Sequence, residues 1–210
     1  EEKFDLLLQI NQQEYVTWEG QFRAPLDNAH IIPRPLNGSL PIWRAVGGGM
    51  GSAVRAGAAG VPMNLAMLGG PASVFKQTID VYRDSARNAG FDPSTLPITT
   101  SGLFYVAKDM DTALREFYPH VNEGIKYANG TGFSKQAFAH ARDPRSILNI
   151  GEANQIIEKI LYQHEMFGHQ RYIAELDFGG LRFKKIMENI DVLGDKIIPT
   201  VRKHILKSEA

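Results

Sequence analysis

The stretch PIWRAVGGGMGSAVRAG, residues 41–57, sets three consecutive glycines between a short apolar run and a helix of small residues. The same arrangement returns along the chain. VPMNLAML is followed by GGP and ASVFKQTIDVYRDSARNAG, and ITTSGLFYVA by DMDTALREFYPHV. QRYIAELDFGGL is followed by FKKIMENIDVLGDKIIPTVRKHIL. Each apolar run is nearly continuous, as expected of a strand buried on both faces, and each hands over to a segment of helical period. Four such pairs predict parallel βα units, an α/β fold, rather than a meander of hairpins.

Other segments fill in the organisation. EEKFDLLLQI has Phe4, Leu7, Leu8 and Ile10 at helical spacing. Tyr15, Thr17, Trp18 and Phe22 around Glu19-Gly20 predict a small hairpin. Pro33, Pro35 and Asn37-Gly38 argue against regular structure before the first βα unit. Gly60, Gly90 and Gly168 read as helix stops, and Asp109 or Asp111 as a cap. Residues 120–148 are polar, glycine-bearing and weakly periodic. They read as a mobile insertion between the third and fourth strands, with a lid over a site as its functional role. The opening in mid-helix marks residues 1–210 as a single partial domain, the back portion of a longer chain.

Composition narrows the function classes. Lys plus Arg and Asp plus Glu both number 23, so the net charge is zero and no nucleic-acid or anionic-membrane footprint is visible. No apolar run approaches the roughly 20 residues that span a bilayer. The chain has no cysteine, which removes disulfides and thiolate metal sites and fits a cytoplasmic setting by default.

Gly47-Gly48-Gly49-Met50-Gly51-Ser52 supplies main-chain N–H groups and a hydroxyl at the positive end of a helix, an arrangement suited to phosphate. The glycine spacing fits neither the dinucleotide fingerprint nor a Walker loop. Met67-Leu68-Gly69-Gly70 and Asp177-Phe178-Gly179-Gly180 repeat the pattern, so three of four strands finish in glycine pairs on one rim of a parallel barrel. His164 and His169 are five apart, about 140° around a helix, which does not suit zinc, and no metal is expected. Trp18, Trp43 and the phenylalanines read as core. Arg44, inside a strand, reads as an ion-pair partner or an anion contact.

VTWEGQFR, PRPLNGSLPIWRAVGGGMGSAVRAGAAGVPM, LGGPASVFKQTIDVYRDSARNAGFDP and YQHEMFGHQRYIAELDFGGL together resemble the bacterial luciferase-like flavin-dependent monooxygenases, over nearly all 210 residues. The resemblance implies a (βα)8 TIM-type barrel of which this chain supplies approximately strands 5–8. It implies reduced FMN as co-substrate, with oxygen and a small organic substrate. NAD(P)H as indirect electron donor and a separate flavin reductase come with it. The phosphate would sit at Val46, Gly47, Gly48, Gly49 and Ser52, and the isoalloxazine near Met67, Gly69 and Gly70. This turn lacks the Ser-Pro-Glu of many relatives, having Gly49, Met50 and Gly51 instead. The acid and base histidines of relatives come from the first half of the barrel, so no catalytic residue is assigned. Alternatives are a truncated flavin-binding module that self-associates as a homo-oligomer, or a deazaflavin-dependent oxidoreductase. A half-barrel exposes two strand edges, so a monomer of it is expected to bind FMN poorly.

Overall fold

The computed structural model describes residues 1–47 and 49–208. Backbone contacts divide it into two units, Glu1–Trp43 and Arg44 onward.

The first unit holds α1 (Glu2–Gln12), β1 (Tyr15–Trp18) and β2 (Leu26–His30). The strands pair antiparallel, with Tyr15 opposite His30 and their rings stacked at 4.7 Å. Phe22 lies in the seven-residue connection rather than in a strand, so the expected tight turn at Glu19-Gly20 is a wider loop. The C-terminal carbonyls of α1 are satisfied by a side chain. Arg34 donates to Ile10, Asn11 and Gln13 at 2.8–3.0 Å, supplying the donors that a helix end lacks.

The second unit begins with β3 (Arg44–Val46), α2 (Met50–Ala58), β4 (Met63–Met67) and α3 (Ala72–Asn88). It continues through β5 (Ile98–Val106), α4 (Met110–Asn129), α5 (Lys135–Ala139), β6 (Asn149–Gly151) and α6 (Ala153–Phe167). It ends in β7 (Arg171–Glu175), α7 (Phe183–Val192) and α8 (Ile198–Ser208). All pairings in this unit are parallel: β3 with β4, β4 with β5, and β5 with β7. The last three residues of β5, Phe104–Val106, pair instead with β6. The four strands read from the sequence are therefore β3, β4, β5 and β7, and β6 is an additional one.

Alternation sets two faces. Met63, Leu65 and Met67 are buried on one side of β4, while Asn64 and Ala66 point the other way. Tyr172 and Ala174 of β7 pack with Phe104, Ile156, Ile160 and Ile197, which marks the helix-covered face. The small residues of α2 have a packing reason. A Cβ on Gly57 would fall 2.3 Å from the Tyr82 carbonyl, so only glycine lets α2 and α3 approach this closely.

The segment 120–148 is more regular than its periodicity suggests. α4 runs through Pro119 to Asn129 and stops at left-handed Gly130. Phe117 and Val121, both fully buried, hold it across the proline, which forfeits one backbone bond. Beyond it, Asn129 closes a turn on the Thr131 and Gly132 amides, and Asn122 accepts from Phe133 N–H at 3.0 Å. α5 and a 3₁₀ turn at His140–Arg142 complete the segment. At the far end, α7 and α8 join through a π turn, Leu193–Ile197, just before Pro199, whose missing N–H a regular α-turn would require.

Candidate functional site

Parallel pairing carries the ends of β3, β4, β5 and β7 to one edge of the sheet, where βα folds place their ligands. The glycine bend after β3 and the turn after β4 are therefore neighbours on the same rim. Gly48 lies outside the described residues. On either side of it, Gly47 and Gly49 are exposed, and a Cβ on either would meet nothing within 4 Å. Among the described residues, no side chain fills the space beside Gly47 or Gly49.

Gly49 is the N-cap of α2, and no side-chain cap hydrogen bond is made there among the described residues. The first turn also carries no acidic residue. Arg55, one turn further on, reaches back and donates to Ser52 Oγ at 3.2 Å. One of its nitrogens lies 3.4 Å from where a Gly51 side chain would begin. Arg55 belongs to the last turn of α2, and its guanidinium reaches back over the first. Exposed glycine backbone, a hydroxyl, a guanidinium and a helix N-terminus are groups that could hold an anion. Arg55 escapes sequence reasoning because nothing in GSAVRAGAAG distinguishes it from a solvated helix arginine.

The other expected residues divide by role. Val46 and Met67 are fully buried on the helix-covered face, so only their main chains can face a ligand. Gly69 lies under an aromatic ring: a Cβ there would come 2.9 Å from Phe133 Cζ. Phe133 in turn meets Phe138 edge-on at 6.0 Å, and its carbonyl accepts from Tyr118 at 2.9 Å. Segment 120–148 thus covers part of the β4 rim. A cavity of about 620 Å³ opens beside Gly70 and Ser73, with His140, Arg145, Tyr162 and Met166 among its walls.

The third glycine pair departs from expectation. β7 ends at Glu175, and Gly179-Gly180 follow four residues later, with Gly179 packed on α4. A Cβ on Gly179 would fall 1.7 Å from the His120 carbonyl, and His120 Nδ1 donates to the Gly179 carbonyl at 2.9 Å. Gly179 docks a loop, whereas a Cβ on Gly180, as on Gly47 and Gly49, would meet no described residue within 4 Å.

The face of the sheet opposite the cluster of Ile156 and Ile160 mixes polar and apolar side chains. Register aligns Ala45, Asn64, Thr99 and Arg171 in one row, then Ala66, Ser101 and Ile173, then Leu103 and Glu175. Asn64 Oδ1 and Thr99 Oγ1 are buried and find no hydrogen-bond partner among the described residues. Unpaired buried oxygens are uncommon, and here they line the interior of what would be a closed barrel.

His164 and His169 form no ligand pair. His164 Nδ1 donates to the His169 carbonyl at 3.0 Å, and their rings meet edge to face. His169 is 4% exposed, and its Nδ1 finds no hydrogen-bond partner among the described residues. Burial first, then the proximity of His164, lowers its pKa from 6.5 to about 4. The native state therefore binds a proton later than the unfolded chain as pH falls. Its stability contribution is intact above pH 6.5 and lost between 6.5 and 4, about 2 kcal/mol of it by pH 5. Thermal melts at pH 7 and pH 5 are expected to show this loss, and His169→Leu is expected to flatten it.

Residues 1–170 match the family model described as luciferase-like monooxygenase. The chain also matches solved structures. Monooxygenase RslO1 from Streptomyces bottropensis superposes with TM-score 0.78 at 22% identity, over 95% of this chain and 60% of that one. The oxygenating constituent of 3,6-diketocamphane monooxygenase from Pseudomonas putida, a structure in complex with FMN, gives 0.67 at 18%, over 94% and 61%. The coenzyme F420-dependent tetrahydromethanopterin reductase from Methanopyrus kandleri gives 0.65 at 17%, over 91% and 59%. The chain spans about 60% of the length of these structures. The fold is α/β of the TIM-barrel type. No helix among the described residues is long and apolar enough to cross a membrane.

Proposed function

Since the chain belongs to the luciferase-like monooxygenase family, we propose that it supplies the cofactor-phosphate half of an FMN-dependent monooxygenase, as approximately strands 5–8 of one barrel. The observation that carries this reading is Arg55 turned back onto the open, uncapped start of α2. In this reading the amides around Gly47 and Gly49, the Ser52 hydroxyl and the Arg55 guanidinium hold the FMN phosphate. Gly69 and Gly70 let the isoalloxazine approach the β4 rim, and Phe133 shields it from water. Segment 120–148 acts as the lid. Reduced flavin, when bound, supplies the electrons for transfer of oxygen to a small organic substrate. The protein's part is to hold the phosphate, orient the ring and keep the rim dry. A reductase partner, an NAD(P)H-derived electron supply and assembly with further copies belong to the same proposal, as does a cytoplasmic setting.

The test is a fluorescence titration of the complete polypeptide containing residues 1–210. Hydrogen bonds to a charged group are worth about 1.5–3 kcal/mol. Arg55→Met is therefore expected to weaken FMN binding by about 10- to 100-fold. Riboflavin, which has no phosphate, is expected to bind both proteins alike. Equal FMN affinity in the two proteins would end the reading. Tighter binding of F420 than of FMN would move the assignment to a deazaflavin enzyme.

A further inference from the structure

Glu175 is the last residue of β7 and so stands at the edge of the sheet that carries the glycine bend. Tyr172 and Ala174 pack into the helix-side cluster, so Glu175 faces the opposite way with Arg171 and Ile173. Leu103 is its register partner on β5, and Ser101, one pleat below, faces the same side. The group is half-buried. Its charged neighbour is another carboxylate, Asp177, two residues on. Burial first, then the Asp177 charge, raises its pKa, while the nearby Ser101 hydroxyl lowers it. Tyr172, on the other face, feels the charge of Glu175 and is itself held protonated by burial. Tyr105, on the Glu175 face of β5, is turned to Glu116, to which its hydroxyl donates at 2.6 Å. Arg171 lies four residues back, about 13 Å along the strand.

A half-buried carboxyl set beside a second carboxylate is a poor choice for stability. Groups perturbed this way collect where proton transfer is needed. The mouth of the barrel type adopted here is where strand-end side chains act on ligands.

We propose that Glu175 is the general acid of this site, giving its proton to the oxygen atom that gains negative charge as the reduced cofactor passes its electrons to molecular oxygen. The carboxyl O–H bond breaks and its electron pair stays on the carboxylate. A new O–H bond forms on the acceptor oxygen, and solvent returns a proton to Glu175. The assignment rests on the flavin reading above.

Three measurements on the complete polypeptide test it, with Glu175→Gln beside the wild type. FMN added to weakly buffered protein with an indicator dye between pH 5 and 8 is expected to change the bound proton count. The change is expected to be absent in E175Q, while FMN affinity stays within about threefold. Hydrogen peroxide release from reduced FMN and oxygen is expected to fall with rising pH in the wild type. In E175Q it is expected to be slower by about 100-fold and flat with pH, the scale of one general acid. E175Q is expected to melt no lower than the wild type, because it removes a strained charge. A merely structural glutamate would instead lower the melting temperature and leave the proton count unchanged. FMN binding with the same proton change in both proteins overturns the Glu175 assignment alone. Failure of the wild type to bind FMN overturns it together with the flavin reading.

Discussion

Gly179→Ala is expected to destabilise the protein by about 3 kcal/mol, while the adjacent Gly180→Ala costs about 1 kcal/mol. Both glycines have positive φ, 66° and 72°, so both alanines meet the same left-handed strain. Only the first has a steric barrier as well. Its new methyl would overlap the His120 carbonyl, a backbone atom that cannot rotate away, whereas nothing lies within 4 Å of the second. The loop would have to lift from α4, losing the His120 Nδ1 bond. It would also lose the contact of the Phe178 ring with Gly124, where a Cβ would come within 2.6 Å of the ring. Urea denaturation of the two variants checks the difference. Equal losses would show that strain alone matters and that the loop is not docked through Gly179.

Lys159→Met is expected to destabilise by a similar amount, about 3 kcal/mol, despite replacing a buried charge by an apolar chain of similar length. Lys159 is 1% exposed on α6. Its amino group donates to the Ala141 carbonyl, to Leu148 at 3.2 Å and to Ile150 at 2.8 Å. Burial lowers its pKa to about 8, with Asp143 opposing, so it remains an ammonium with three donors at pH 7. Methionine relieves the cost of burying charge but withdraws one donor from each of three carbonyls, of which Leu148 keeps the Ile150 N–H at 2.9 Å. Those carbonyls lie on the return from the 3₁₀ turn to β6, and each is costly to leave unpaired. Chemical denaturation measures the loss. Limited proteolysis between residues 139 and 150 is expected to quicken in the variant, since the ammonium holds that return in place. A variant as stable and as resistant as the wild type would show that the burial penalty outweighs the three bonds.

The βα alternation was readable because β3, β4, β5 and β7 are apolar runs closed by turn residues, and because Gly60, Gly90 and Gly168 mark helix ends in left-handed geometry. β6 was not readable. Asn149-Ile150-Gly151 is too short to show a period, and it exists because β5 outruns β4 and β7 and offers three more residues for pairing. Lys159 falls on a helix whose sequence gives no hint that one lysine points inward. The glycine clusters carried the main ambiguity. Gly47 and Gly49 open onto space, Gly69 sits beneath Phe133 and Gly179 presses on His120. Identical residues serve three purposes, and only the atoms opposite each of them tell which.

β5 pairs with β4, β6 and β7, and its buried stretch runs unbroken from Ile98 to Tyr105. β4, β6 and β7 cannot leave without exposing it, and it cannot leave without dissolving every pairing of the unit but β3–β4. Its amides should therefore exchange with solvent only through global opening, while the short β6 and the ends of the sheet open locally. Whatever the rim binds rests on elements that loosen first, hung from a strand that loosens last.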